Sequence, residues 1–137
     1  MKKFDDLLTN FSSEQKIRIG VVCANDEVSI QSVFNAKVKE HLEPILIGDK
    51  EKINELLLKF GYSAQVVSGK TEEECAAIGV DMVQKREIDF LMKGHIQTRT
   101  FLKAVVDREK GIASSGLLSH VALNEIPAYH KLLLTTD

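Results

Sequence analysis

Short, almost continuous apolar runs that alternate with helical repeats constrain the fold of this chain more than any other feature. The run over residues 17–24 is apolar at nearly every position, and the runs at 44–48, 64–67 and 88–92 repeat it. Such runs are typical of parallel strands that are covered on both faces of a sheet. Strands of this kind that alternate with helices predict an α/β fold, doubly wound around a mostly parallel sheet with right-handed crossovers.

Capping residues mark where the intervening helices begin. Asp26 predicts the start of a helix over about 27–40, and Asp49 the start of a second helix that Gly61 ends. Thr71 and Glu74 have the spacing of a capping box at the start of the third. A fourth helix is predicted over about 98–107, and a short amphipathic helix with apolar residues at 4, 7, 8 and 11 comes before the first strand.

The pattern changes after residue 110. Residues 111–116 form a loop rich in Gly and Ser, and two strand candidates follow at 119–126 and 130–136. Their short link, residues 127–129, predicts an antiparallel C-terminal hairpin. Because the last strand is apolar up to residue 134, we expect an exposed apolar patch there and a fold that continues in a longer protein.

Composition excludes several classes of protein. The chain has 137 residues, 44% of them hydrophobic and 28% charged, which is an ordinary globular profile. Its net charge is −2, so it lacks the basic excess of a nucleic-acid-binding protein. It has no apolar run long enough to span a membrane and no signal peptide, and a cytoplasmic location is the simplest expectation. Cys23 and Cys75 fall in apolar segments and are expected to be buried, reduced thiols.

The loop after the fourth strand is the most informative candidate site. It contains Lys93 and Gly94, and Thr98 and Arg99 open the next helix. Gly94 would let the backbone approach a ligand, and Thr98 would cap the helix, whose N–H groups and dipole favour an anion. A phosphate site is one interpretation; a plain βα turn with solvated cations is the other.

A second candidate anion cradle is the loop with Ser114, Ser115 and Gly116, although such loops are more often plain turns. His120 and His130 flank the predicted hairpin, and pairing of its strands could bring them together, which favours a structural, hydrogen-bonded role over catalysis. The acidic run at 72–74 suits the helix dipole better than a metal site, and no histidine spacing predicts a metal.

Residues 91–105, and residues 118–123 continued at 127–133, resemble the phosphate acetyl/butyryltransferase family, especially its phosphate butyryltransferase members. The resemblance implies transfer of an acyl group, butyryl or another short or branched chain, between coenzyme A and inorganic phosphate. It implies an isocitrate/isopropylmalate dehydrogenase-like fold with two domains around a cleft. Residues 1–137 would then be a single α/β domain in the N-terminal part of a longer, homodimeric protein.

The resemblance also implies roles for particular residues. Lys93, Gly94, Thr98 and Arg99 would hold phosphate or acyl phosphate; the same cleft would be lined by Ser114, Ser115, Gly116, Ser119 and His120. Coenzyme A would be a substrate, with no bound cofactor and no metal. The family's catalytic motifs lie beyond Asp137, so no catalytic residue is assigned. The alternatives are a non-catalytic module that binds coenzyme A or a phosphorylated metabolite, and a dimerisation fragment.

Overall fold

Four parallel strands form the main sheet of the computed structural model, which describes residues 2–9, 14, 16–36, 39–113, 115 and 117–136. The strands are β1 (Ile17–Val22), β2 (Leu42–Gly48), β3 (Gln65–Ser68) and β4 (Phe90–Lys93). The helices are α1 (Phe4–Thr9), α2 (Glu27–Phe34), α3 (Lys50–Phe60), α4 (Glu72–Gln84) and α5 (Thr98–Val105). A 3₁₀ turn, Lys39–His41, precedes β2. The strands β5 (Val121–Asn124) and β6 (Leu133–Thr136) form a separate antiparallel hairpin.

The strand order in the main sheet is β3-β2-β1-β4. Central β1 pairs in parallel with β2 on one side and β4 on the other, and Gly20 lies opposite both Ile45 and Leu91. The predicted α/β fold with a mostly parallel sheet and an antiparallel hairpin is therefore confirmed.

Two apolar clusters cover the two faces of this sheet. On one face, Val21 and Leu46 pack with the residues of α2 and α3, among them Ile30 and Ile53. The opposite face carries Val22, Ile47 and the side chains of α4, together with Ile96. Alternate residues of β1 and β2 thus enter different clusters, which explains why both strands are apolar at nearly every position.

Local capping follows the sequence closely. Asp26 and Thr71 accept N–H hydrogen bonds at the starts of α2 and α4, and Asp49 does so at α3. Gly61 ends α3 in the left-handed conformation with φ of 70°. Glu74 completes the capping box one residue early, because its carboxylate accepts from the N–H of Lys70 at 2.9 Å.

Helix α2 ends earlier than the sequence predicted, at Phe34 instead of about residue 40. Tyr62 accounts for this end. Its ring stacks on Phe34 at a centroid distance of 4.3 Å, and its hydroxyl donates to Oδ1 of Asn35 at 3.1 Å. Asn is a weak helix former, and this tertiary contact holds Asn35 outside the helical conformation, with ψ near 1°.

The hairpin also differs from the prediction in its connection. Residues 125–132 link the strands, a longer segment than the predicted 127–129. Pro127 cannot donate a ladder hydrogen bond, and a turn closes beside it where the N–H of Tyr129 donates to the carbonyl of Ile126 at 2.9 Å. The predicted strand ends at 119–120, 125–126 and 130–132 are therefore loop.

None of the helices in the described ranges is long and apolar enough to cross a membrane.

Candidate functional site

The loops after β1 and β4 meet at the carboxyl edge of the main sheet. Val22, the last residue of β1, lies opposite Lys93, the last residue of β4. Because β2 and β4 flank β1 on opposite sides, this edge is the point where the winding reverses. Ligands of open α/β sheets bind at such points.

Gly94 is required for the contact of this loop with β1, and the expectation that it lets the backbone approach a ligand stays a prediction. Its N–H donates to the carbonyl of Val22 at 2.9 Å, and the N–H of His95 donates to the carbonyl of Cys23 at 3.0 Å. A Cβ atom on Gly94 would lie 2.5 Å from the Val22 oxygen and 2.6 Å from the Cys23 oxygen. The β4–α5 loop is thus fixed against the backbone of β1, and its first two N–H groups are used internally.

The prediction that Thr98 caps α5 is wrong. The N-cap is Gln97, whose side chain makes no capping hydrogen bond, and Thr98 is the first residue of the helix. The N–H of Gln97 instead points to the carboxylate of Glu72, at 3.4 Å. Glu72 comes from the first turn of α4, so a tertiary contact places a carboxylate where the sequence predicted local capping. In the sequence, the only feature that marks Glu72 is its place in the acidic run at the start of α4.

The first turn of α5 retains features that suit an anion. The N–H groups of Thr98, Arg99 and Thr100 have no acceptor inside the helix, because they belong to its first turn. Lys93 is exposed at the end of β4, and Arg99, six residues further along the chain, is exposed in the first turn of α5. Within the described ranges, neither cation forms an ion pair.

Arg99 also borders a groove of about 870 Å³ between α4 and α5. Lys103 and Lys110 lie on the same groove, and Glu73 and Asp81 carry the opposite charge on its rim. This groove therefore carries charges of both signs.

The serine loop is described only in part. Ser114 and Gly116 lie outside the described residues. The Ser115 hydroxyl accepts the N–H of Leu117 at 3.3 Å, which is a local turn contact, and Ser119 is exposed just before β5. In the part of the chain that the structure describes, neither serine hydrogen-bonds to residues 93–99, so their place in a common cleft stays a prediction.

The expected meeting of His120 and His130 is wrong. Val121 pairs with Thr136 at one end of the hairpin, and Asn124 pairs with Leu133 at the other. His120 precedes β5 at the first end, whereas His130 lies in the connection at the second, with its ring 4.7 Å from that of Tyr129. The pairing register keeps the two imidazoles apart.

Both cysteines are free and buried, as predicted. They face each other between β1 and α4, where the Cys23 thiol hydrogen-bonds to that of Cys75. Burial, reinforced by this neighbour, raises the pKa of Cys23 to about 12. A thiol that stays protonated is a poor nucleophile. Among the described residues, no group of three or more His, Cys, Asp or Glu is arranged to hold a metal ion.

The fold and the β4–α5 loop place this chain in the class of α/β domains found in phosphotransacylases. A branched-chain phosphotransacylase from Enterococcus faecalis matches 88% of the chain with a TM-score of 0.62 and 26% identity, and the match covers 42% of that protein. A phosphotransacetylase from Streptococcus pyogenes shares the fold, at a TM-score of 0.54 and 19% identity over 64% of this chain and 36% of that one.

Curated relatives make the assignment more specific. A probable phosphate butyryltransferase of Bacillus subtilis is 38% identical over 98% of the chain, and the phosphate butyryltransferase of Clostridium acetobutylicum is 30% identical over 100% of the chain. No family model matches. The chain spans about half the length of these relatives, 46% in both cases. The chain is similar to the N-terminal portion of these phosphate butyryl- and acetyltransferases, as its sequence motifs implied.

Proposed function

We propose that this chain forms the N-terminal part of a phosphate acyltransferase. In the reaction, a phosphate oxygen attacks the thioester carbonyl of an acyl-CoA, a C–O bond forms, the C–S bond breaks, and the thiol of coenzyme A leaves. The observation that carries the proposal is 38% identity to a phosphate butyryltransferase across nearly the whole chain. The names of the relatives support a butyryl or branched short-chain acyl group.

Lys93 and the first turn of α5 would hold the phosphate in this reaction. The free N–H groups of that turn supply directed donors, and Lys93 and Arg99 supply positive charge. Holding phosphate against the thioester removes much of the entropic barrier, and donors aimed at the developing oxyanion lower the rest. Ser119 and His120, with the serine loop at 114–116, would line the same cleft.

The proposal includes an isocitrate/isopropylmalate dehydrogenase-like architecture for the longer protein. In it, this α/β domain and a second domain would enclose the cleft, and two copies would form a homodimer. The carboxyl edge of the sheet supports this placement of the cleft, because the Lys93 loop opens there. Coenzyme A and phosphate would be the substrates, with no further cofactor.

The test measures phosphate-dependent release of coenzyme A thiol from butyryl-, isobutyryl- and acetyl-CoA. The enzyme is a fusion of this chain to the residues of the Bacillus subtilis relative that lie beyond its match, since the chain covers 46% of that protein. Lys93→Ala should lower kcat/KM for phosphate by about 10-fold to 1000-fold, as expected for the loss of one anion-binding group. Lys52→Ala, an exposed lysine on α3, is the matched control and should leave kcat/KM unchanged.

A non-catalytic binding module is the second candidate, because the chain spans only about half of its relatives. It predicts that the isolated chain binds phosphate or coenzyme A, with loss of binding in Lys93→Ala, while neither the chain nor the fusion releases thiol. Thiol release by the fusion would contradict the binding module, and release that is equal in Lys93→Ala would contradict the assigned phosphate site. Under the binding module, equal binding by the isolated chain and its Lys93→Ala variant would contradict that site.

A further inference from the structure

The start of α5 is held from outside the helix. The carbonyl of Gln97, the N-cap, accepts the first hydrogen bond of the helix, from the N–H of Phe101 at 3.1 Å. The N–H of Gln97 donates to the carboxylate of Glu72, the first residue of α4, at 3.4 Å. The preceding residue, Ile96, is buried in the apolar cluster between the sheet and α4. Glu72 therefore holds the residue at which α5 begins.

This start differs from those of the helices that a local side chain caps. Asp26, Asp49 and Thr71 accept N–H groups from the first turn of their own helices, so these donors are occupied. The Gln97 side chain occupies none, and Glu72 accepts the N-cap N–H, as the third helical residue does in a capping box. The contact thus fixes the start of α5 and leaves the N–H groups of its first turn for an anion.

Among the described residues of the acidic run that opens α4, Glu72 is the one that hydrogen-bonds to the start of α5. It is half-buried, whereas Glu73 and Glu74 are exposed. Glu74 accepts the N–H of Lys70 at 2.9 Å, and Glu73 lies on the groove between α4 and α5. Compensation of the helix dipole applies to all three carboxylates. It does not account for the particular contact that Glu72 makes with α5.

We propose that Glu72 is a positioning residue of the phosphate site, which holds the first turn of α5 in place without occupying its donors. The inference rests on the proposed function, since Lys93 and this turn are the groups assigned to phosphate. Glu72 itself does not touch the substrate. Its negative charge opposes a nearby anion, so the site gains from the hydrogen bond and not from the charge. The amide oxygen of a glutamine accepts the same N–H without that charge.

The test uses the fusion to the Bacillus subtilis relative and measures KM for phosphate and for butyryl-CoA separately. Glu72→Ala should raise KM for phosphate about tenfold, because a hydrogen bond to a charged group no longer holds the donors, and change KM for butyryl-CoA less than about twofold. Glu72→Gln keeps an acceptor and should stay within about threefold of the wild type. Glu73→Ala removes the same charge from the same turn of α4 and should leave both KM values unchanged.

The isolated chain provides a measurement that does not need the reaction. The amide proton of Gln97 should resonate further upfield in Glu72→Ala than in Glu73→Ala, because it loses its acceptor. If the fusion releases no thiol, the dissociation constant of the isolated chain for inorganic phosphate takes the place of KM, with the same expected ratios. It is followed by the amide resonances of residues 98–100.

Three results would overturn the role of Glu72. The first is an equal KM for phosphate in Glu72→Ala and Glu73→Ala while Lys93→Ala is impaired, which would leave the proposed function intact. The second is a Glu72→Gln variant that is as impaired as Glu72→Ala, or that binds phosphate more tightly than the wild type, since the charge would then decide. The third is a Gln97 resonance that Glu72→Ala does not move. If Lys93→Ala has no effect either, the phosphate site fails and the inference fails with it.

Discussion

At the scale of single residues, the position of the loop after β4 depends on the absence of a side chain at Gly94. Gly94 lies so close to β1 that a Cβ atom would meet two main-chain oxygens at 2.5 and 2.6 Å. Main-chain atoms of a central strand cannot move aside as a flexible side chain can. The position of Lys93 and the start of α5 therefore depend on this contact, although Gly94 itself need not touch a substrate.

Gly94→Ala should destabilise the fold by about 1–3 kcal/mol, the usual cost of forcing extra atoms into a packed site. Urea denaturation measures the loss. Gly61→Asn is the control, because no atom lies within 4 Å of a Cβ there and Asn tolerates the left-handed conformation. Equal midpoints for Gly94→Ala and the wild type would show that the loop is not held against β1.

The thiol pair makes stability depend on alkaline pH. Burial raises the pKa of Cys23 to about 12 and also raises the pKa of Cys75. An unfolded thiol loses its proton near pH 8.5, so above this pH the unfolded chain binds fewer protons than the folded one. Stability is thus full below pH 8.5 and falls as the pH rises towards 12, by up to about 1.4 kcal/mol per pH unit for Cys23, and the raised pKa of Cys75 acts in the same direction.

Urea midpoints between pH 8 and 10.5 test this dependence. Cys23→Ala removes one of the two thiols and should reduce the slope, whatever the variant's stability at neutral pH. The difference in slope between the variant and the wild type is the diagnostic quantity, because the two proteins differ only at residue 23. Identical slopes would mean that Cys23 ionises as easily in the folded chain as in the unfolded one.

At the scale of elements, helix starts differ in how they are stabilised. Thr71 caps α4 through its own hydroxyl, which accepts the N–H of Glu74 at 3.1 Å. The N-cap of α5, Gln97, uses no side-chain hydrogen bond. Thr71→Ala should therefore cost about 1 kcal/mol of unfolding free energy, and Gln97→Ala less than about 0.5 kcal/mol. Thermal unfolding of the two variants checks the difference; an equal loss would contradict it.

The same contrast shows which elements a sequence can predict. Caps at Asp26 and Thr71 and the apolar pattern of β1 are encoded within a few residues, and the structure confirms them. The end of α2 depends on Tyr62, and the start of α5 receives a carboxylate from Glu72, which lies 25 residues away. Contacts at such separations leave no local pattern. For the same reason, the sequence motif marks the loop at 93–99 as a candidate site, but it does not predict the contacts of that loop with β1 and Glu72.

At the scale of the whole molecule, the chain divides into a buried sheet domain and a weakly attached hairpin. Both apolar clusters are built from residues between Ile19 and Val105, and no buried apolar residue of the described chain lies beyond Val105. Residues 111–113 close the domain, where the N–H groups of Ile112 and Ala113 donate to the carbonyl of Val105. The sheet domain therefore does not need the hairpin for its core.

A chain that ends at residue 113 should keep its helical circular dichroism signal and a cooperative urea transition. It loses the hydrogen bond from Phe4 to Glu125 but no buried apolar side chain, so we expect the unfolding free energy to fall by no more than about 1 kcal/mol. A chain that ends at residue 95 is the control. It lacks Ile96 and all of α5, which cover one face of the sheet, and should lose the cooperative transition. Collapse of the 113-residue form would show that the hairpin stabilises the sheet, because the domain would then depend on contacts outside its two clusters.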